Sequence, residues 1–244
     1  MKESDKTVRL LSVFLFVTGM ALALLITIFT LWPDIEAAMF DVNNARGESL
    51  NSLRCPWLIT PSDEAAIRLR LRNSLDRPVN FLAQANISEG FVTLMRHEQA
   101  RATVQPGEST EFAWLIRPED AAYGWMVLAR VRVLRASSLP ARQRACGILV
   151  LDIPVLSGNQ IMGGLLAATL LYLGVGTTLW IRSERPLTKR KRERIRAIGL
   201  FALLLLLTMT ISLIGWWGGG IIILLGMVLF LAVVIERLGG QRGM

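Results

Sequence analysis

An uncharged run of 39 residues, from Ala197 to Ile235, constrains this chain more than any other feature. As a single helix the run would be roughly 58 Å long, about twice the thickness of the hydrocarbon core of a bilayer. It must therefore fold back on itself. The break is indicated at Gly215–Gly220, where four glycines and two tryptophans suit a helix end at a membrane interface. The sequence predicts transmembrane helices over residues 197–215 and 218–235 and a cytoplasmic tail over residues 236–244.

Two other uncharged runs are long enough to cross a bilayer. Residues 10–32 form a run of 23 residues and residues 161–181 form a run of 21. The chain is therefore predicted to be a membrane α-helical protein with about four transmembrane helices. Because the apolar core of a cleaved signal peptide is usually only about 7–15 residues long, we expect the first run to be an uncleaved signal anchor.

The charged residues are unevenly distributed along the chain. Residues 34–160 contain 14 Arg, no Lys and 14 Asp or Glu, so the net charge of +8 belongs to the N-terminus, the loop over residues 182–196 and the C-terminus. Short basic flanks of this kind mark the cytoplasmic side of a membrane. We therefore expect a multi-pass protein of the cell (inner) membrane, with residues 1–9 and the C-terminus in the cytoplasm and the neutral segment outside. This distribution explains the basic charge without a nucleic-acid partner.

The neutral segment shows the period-two alternation of β-strands. Ile67–Arg72 alternates strictly between apolar residues and arginines, which indicates a half-buried strand. Similar alternation covers residues 79–87, 112–116 and 127–133, and turn residues at 73–78, 88–90, 105–108 and 118–124 separate the runs. With a first strand near residues 57–59 and a last near 148–151, about seven short strands predict an all-β two-sheet sandwich over residues 55–153, after a linker over residues 33–54.

Residues 55–153 resemble the immunoglobulin-like or fibronectin-type β-sandwich domains of many bacterial membrane-anchored envelope proteins. The resemblance rests on the turn Asn73–Pro78 after an alternating strand, and on Val104–Glu108 before Phe112, Ala113 and Trp114. It implies an extracytoplasmic immunoglobulin-like fold for this segment and carries no binding site with it.

The two cysteines, Cys55 and Cys146, lie at opposite ends of the predicted sandwich. On the oxidising side of the membrane we expect them to form a disulfide, which would close a loop of about 90 residues and stabilise the domain by roughly 4–5 kcal/mol. Two buried free thiols are the alternative. A redox role is not indicated, because the chain has no Cys-x-x-Cys spacing.

No group of residues has the spacing of a catalytic or metal site. His97 is the only histidine, whereas a metal needs about three or four ligands and a serine hydrolase needs a nucleophile elbow as well. All four lysines are on the predicted cytoplasmic side, which argues against Ser-Lys catalysis outside. Paired carboxylates occur at Asp63–Glu64 and Glu119–Asp120, in predicted turns where solvated acids are the rule. We expect no enzyme activity, no cofactor and no metal.

Two sets of residues are candidates for contacts in the membrane. Small residues let helices approach closely, and the second predicted span carries such a set at Gly163, Gly164, Ala167 and Ala168. The neighbouring helix could belong to this chain or to a partner. The loop after this span carries eight basic residues that we expect to contact anionic lipid head groups: Arg182, Arg185, Lys189, Arg190, Lys191, Arg192, Arg194 and Arg196.

The predicted spans contain no Asp, Glu, Lys, Arg or His, which argues against a transporter or an ion channel. The expected function is that of a non-catalytic accessory or scaffold subunit, with the lipid bilayer and other membrane-protein subunits as its partners. A receptor-like binding module for an envelope ligand is the alternative.

Overall fold

A computed structural model describes residues 3–41, 48–134, 141–183 and 189–240 of the chain. This part contains four α-helices: α1 (Glu3–Met39), α2 (Gly158–Ser183), α3 (Lys189–Leu213) and α4 (Trp217–Gly240). It also contains nine β-strands: β1 (Glu48–Ser49), β2 (Leu53–Arg54), β3 (Leu58–Ile59), β4 (Ala65–Arg72), β5 (Val79–Glu89), β6 (Phe91–Val104), β7 (Ser109–Ile116), β8 (Met126–Leu134) and β9 (Arg142–Val150). The chain divides into two compact units, Met1–Leu31 with Gly163–Met244 and Trp32–Met162.

The first unit is built from apolar helices. Three helical segments are long and apolar enough to cross a membrane: Lys6–Met39, Gly158–Ser183 and Ile195–Leu213. The described side chains of α4 give a shorter apolar segment, Trp217–Leu229. Between α3 and α4 the backbone of Gly215 has a φ of 78°, the left-handed conformation that commonly follows a helix end. The predicted break in the 39-residue run is therefore present at Gly215, the first glycine of the stretch Gly215–Gly220. The other three glycines of that stretch lie within α4.

The second unit contains two β-sheets. Six strands form a mixed sheet in the order β1-β9-β8-β5-β6, with β3 also paired to β9. The short strands β1 and β3 run parallel to β9, whereas the pairs β9–β8, β8–β5 and β5–β6 of long strands are antiparallel. The strands β2, β4 and β7 form a separate antiparallel sheet.

One hydrophobic core lies between the two sheets. From the three-stranded sheet, β4 contributes Ile67 and Leu69, both fully buried, and β7 contributes Trp114. From the six-stranded sheet, β5 contributes Ile87 and β8 contributes Val131. The inward residues of β4 are those that the alternating pattern selected, so that prediction is confirmed.

The strand β6 is the main element that the sequence pattern did not reveal, although turn signals at 88–90 and 105–108 bracket it. It lies at the edge of the six-stranded sheet, and most of its described side chains are exposed or only half-buried. Without a continuously buried face, a strand has little apolar alternation to show.

The structure differs from the predicted linker over residues 33–54. The helix α1 continues through Pro33 to Met39, and β1 and β2 occupy positions within the remainder of the segment. Ala37 and Phe40 are buried against Met126 and Leu128 on the outer face of the six-stranded sheet. This packing outweighs the backbone hydrogen bond that proline cannot donate.

Candidate functional site

The predicted small-residue set lies on a face of α2 that the described part of this chain leaves uncovered. Gly163, Gly164 and Ala167 are exposed, and Ala168 is half-buried. Apart from its chain neighbours and the nearby backbone of α2 itself, a Cβ built at Gly163 or at Gly164 would have no described atom within 4 Å. Within the described residues, these two glycines do not pack against another helix. Their contact with a partner's helix stays a prediction.

Different glycines bring α1 and α2 together. A Cβ at Gly19 of α1 would lie only 2.8 Å from Cγ of Leu173, and a Cβ at Gly176 of α2 would lie 2.6 Å from the backbone nitrogen of Phe16. The rings of Phe16 and Trp180 lie beside this crossing, with centroids 5.6 Å apart. Sequence reasoning missed Gly19, because a lone glycine in an apolar run has no spacing that marks it as a contact.

The predicted lipid-contact residues are described only in part. Arg182 lies in the last turn of α2, and Arg192 and Arg196 lie on α3; all three side chains are exposed. Arg185 lies outside the described residues, as do the side chains of Lys189, Arg190, Lys191 and Arg194. Contact of this set with lipid head groups stays a prediction.

A disulfide joins Cys55 to Cys146 in the second unit, with Cα atoms 6.5 Å apart. Cys55 follows β2 of the three-stranded sheet, and Cys146 lies on β9 of the six-stranded sheet. Both side chains pack in or against the common core. The predicted bond is therefore present and links the two sheets directly.

A buried arginine caps the end of α1. Arg130 of β8 is only 4% exposed, and its guanidinium donates hydrogen bonds from Nε to the carbonyl of Phe40 and from Nη2 to that of Ala38, each at 2.8 Å. These carbonyls belong to a helix end that has no further turn to bond them. Burial lowers the pKa of Arg130, while the nearby carboxylate of Asp41 raises it. No pattern in the sequence indicates this cap, because Arg130 alternates with apolar residues as an exposed strand residue would.

The single histidine, His97, belongs to a series of hydrogen bonds that ends at Asp41, just beyond the C-terminal end of α1. Nδ2 of Asn86 donates to the carboxylate of Asp41 at 2.7 Å, which leaves Oδ1 of Asn86 to accept from Nδ1 of His97 at 2.8 Å. Asp41 has a φ of 54°, in the left-handed region just beyond α1. His97 therefore helps to position Asp41, which follows the helix α1. Among the described hydrogen bonds, none joins His97 to a serine, threonine or cysteine that could act as a nucleophile.

Asp34 lies in the C-terminal part of α1, beyond the uncharged run that ends at Trp32, and contacts β9. Its Oδ1 accepts a hydrogen bond from the backbone nitrogen of Gly147 at 3.0 Å. Burial raises the pKa of Asp34 to about 6, although the Gly147 hydrogen bond and the charge of Arg144 both act to lower it. Because burial disfavours the charged form of Asp34, its ionisation at neutral pH lowers the stability of the folded protein.

The two carboxylate pairs were predicted to be solvated, and in each pair one member is not. Asp63 accepts hydrogen bonds from the backbone nitrogens of Thr60 and of Gly158, the first residue of α2. Asp120 is buried and accepts from Nη2 of Arg96 at 3.1 Å. Glu64 and Glu119 are exposed, as expected. Asp63, which is half-buried, and Asp120, which is buried, both serve as hydrogen-bond acceptors at turns, and each has a partner distant in the sequence.

Four arginines lie on the outer face of the three-stranded sheet. Arg54, Arg68, Arg70 and Arg72 are all exposed, and the strand register places Glu111 opposite Arg70. Glu111 also forms an ion pair of 3.5 Å with Arg68, which is two-thirds exposed and therefore contributes little. We call these four residues the arginine face.

The arginine face borders an open hollow of about 430 Å³. Its lining consists of Ser52, Arg70, Arg72, Gly107 and Ser109. Two guanidinium groups beside two hydroxyl groups can bind an oxyanion, since all of them offer hydrogen-bond donors. Among the described residues, no group of three or more His, Cys, Asp or Glu could hold a metal ion.

Comparison with known proteins adds little to this picture. No protein-family model matches the chain, and no curated protein matches it. Solved structures similar to part of it include a beta-glucuronidase from Bacteroides uniformis, at 14% identity over 39% of this chain and 12% of the enzyme, and a beta-glucosidase from Listeria innocua, at 15% identity over 43% and 16%. Both have a TM-score of 0.28, so the similarity carries no argument about fold or activity. The chain matches less than a fifth of the length of these enzymes.

Proposed function

We propose that this protein is a non-catalytic accessory or scaffold subunit of a membrane complex. The observation that carries the proposal is the contrast between two glycine surfaces of α2. One surface, at Gly176, is filled by α1 of the same chain, and the other, at Gly163 and Gly164, is open. Close helix packing in a bilayer depends on such small residues, so the open surface suits a helix from another subunit.

The topology belongs to the same proposal. Four helices cross the cell membrane with both termini in the cytoplasm, and the two sheets form an immunoglobulin-like sandwich outside it. The charge distribution supports the orientation, and the disulfide between Cys55 and Cys146 suits an oxidising compartment. Reporter fusions at Arg190 and at the C-terminus should both report the cytoplasm; an external signal from either fusion contradicts the topology.

Co-purification from native membranes in a mild detergent tests the scaffold role. The wild-type protein should retain membrane partners in fixed stoichiometry, and Gly164→Leu should lose them because the larger side chain holds the helices apart. Gly199→Leu is the matched control, since a Cβ at Gly199 on α3 would also meet no described atom within 4 Å beyond its chain neighbours and the nearby backbone of its own helix. A wild-type protein that purifies alone, or equal retention by both variants, would argue against the proposal.

A receptor-like module for an anionic envelope ligand is the second candidate. It is favoured by the open hollow whose lining includes the exposed Arg70 and Arg72 together with Ser52 and Ser109. In this case the purified protein would retain an anionic molecule, and the double variant R70Q/R72Q would release it. Arg77→Gln, at an exposed arginine of the turn after β4, is the control.

A further inference from the structure

Exposed aromatic and aliphatic side chains gather at one end of the second unit. Trp57, Phe91, Tyr123, Trp125 and Val155 form this group, which we call the aromatic rim. Phe91 is 68% exposed, Tyr123 59% and Val155 83%. Large apolar side chains with this exposure, collected in one place, mark a surface that is covered in the functional protein.

The strand register shows that the rim residues share one end of the sheets. The end of β9 lies between two of them, because the backbone nitrogen of Leu149 donates to the carbonyl of Trp57 and that of Val150 to the carbonyl of Trp125. Phe91 follows the turn at Gly90, and it lines one hollow of about 400 Å³ together with Tyr123. Three loops and the end of β9 thus display the rim together.

The apolar helix α2 starts at this same end. Only seven residues separate Val150, the last residue of β9, from Gly158, the first residue of α2. The backbone nitrogen of Gly158 donates to Asp63 at 2.8 Å, and the hydroxyl of Thr60 donates to the carbonyl of Leu156 at 2.9 Å. These hydrogen bonds hold the first turn of α2 beside the rim, within the second unit. The apolar part of α2 begins at this point.

We propose that the aromatic rim is a lipid-contact surface that enters the interfacial layer of the bilayer; the inference rests on the proposed transmembrane course of α2. Tryptophan and tyrosine favour this layer because each combines an apolar ring with a polar group that stays hydrated. The exposed carboxylates Glu89 and Asp152 lie on the same rim and limit its insertion to the boundary between head groups and acyl chains.

Site-directed spin labelling of the full-length protein tests the rim. Both native cysteines are joined in the disulfide, so a single new cysteine can carry the label. The labels are placed at Phe91→Cys and Tyr123→Cys, with Asp76→Cys in the exposed turn between β4 and β5 as the aqueous reference and Leu171→Cys on the exposed surface of α2 as the lipid reference. The protein is reconstituted in phosphatidylcholine nanodiscs, and the accessibility of each label to oxygen and to a water-soluble nickel chelate is measured.

The labels at positions 91 and 123 should be several-fold more accessible to oxygen, relative to the nickel chelate, than the label at position 76. Aqueous values at both rim positions, with a lipid value at position 171, would overturn the rim proposal and leave the transmembrane course standing. An aqueous value at position 171 would overturn that course itself. Shielding of the rim labels from both reagents would indicate a protein contact and would also overturn lipid contact. Val155→Cys replaces either rim variant that does not fold.

Discussion

Gly147 of β9 lies directly against the backbone of Pro33 in α1, so closely that a Cβ at Gly147 would overlap the Pro33 carbonyl group. The neighbouring Asp34 accepts the hydrogen bond of the Gly147 backbone nitrogen at 3.0 Å. Gly147 therefore provides both the space for the C-terminal part of α1 and the backbone hydrogen-bond donor that positions it on the sheet.

The first prediction follows from this contact. Gly147→Ala should destabilise the protein by about 1–3 kcal/mol or more, because the new methyl group can be accommodated only if α1 or β9 moves. Thermal unfolding of the full-length protein in detergent would measure the loss. Ala113→Val is the control, since Ala113 lies on an exposed strand position. An unchanged unfolding temperature for Gly147→Ala would contradict the close contact.

The second prediction concerns pH. The pKa of Asp34 is raised to about 6 from its ordinary value of 3.8, so the folded state binds a proton more tightly than the unfolded state does. The stability should therefore be greatest at low pH within this window and should fall by roughly 1–3 kcal/mol as the pH rises from about 4 to about 6, other groups being equal. Asp34→Asn should flatten this part of the profile and raise stability at pH 8, because the amide oxygen can still accept from Gly147. The exposed Asp152→Asn should leave the profile unchanged; equal profiles for wild type and Asp34→Asn would refute the assignment.

The third prediction concerns the cap formed by Arg130. Arg130→Gln should destabilise the second unit by about 2–4 kcal/mol, since it removes two charge-assisted hydrogen bonds to buried carbonyls at the end of α1. Hydrogen exchange should also show faster opening of residues 36–40. Arg132→Gln is the matched control on the same strand, because Arg132 is less buried and contacts Gln84 rather than the helix. Comparable effects of the two variants would mean that the cap contributes nothing specific.

The fourth prediction separates the two glycine surfaces of α2. Gly176→Ala should lower the thermal stability of the isolated protein in detergent, because its Cβ would lie 2.6 Å from the Phe16 backbone. Gly164→Ala should leave that stability unchanged or raise it slightly, since its surroundings are open and alanine favours a helix. The reverse order of stabilities would show that α1 and α2 do not cross at Gly176.

The fifth prediction concerns the disulfide. Replacing Cys55 and Cys146 together by alanine should cost about 4–5 kcal/mol in the chain-entropy model, given a sequence separation of 91 residues. Urea unfolding of the full-length protein measures this loss, and Ser52→Ala on the same segment is the control. Mass spectrometry without reduction, on protein taken from its native membrane, should find the two thiols joined; two free thiols would contradict the bond.

The sequence by itself determined the elements whose pattern is local. The uncharged runs predicted apolar helices, Gly215 marked the turn between α3 and α4, and the alternation of Ile67, Leu69 and Leu71 identified both a strand and its buried face. These signals are readable because chain length and side-chain period fix which residues leave water. The cysteine positions also suggested the disulfide, although only as one of two alternatives.

Only the tertiary structure decided how distant residues meet. Pro33 predicts a helix end, yet α1 continues because Ala37 and Phe40 find an apolar surface on β8 and because Arg130 supplies donors for the last carbonyls. Gly19 and Gly176 pack within the chain while Gly163 and Gly164 stay open, a choice that no spacing in α2 could reveal. The physical reason is the same in each case. A proline, a glycine or a charged residue has a local conformational preference of about 1–3 kcal/mol. The free energy of packing against residues far away in the sequence is large enough to reverse that preference.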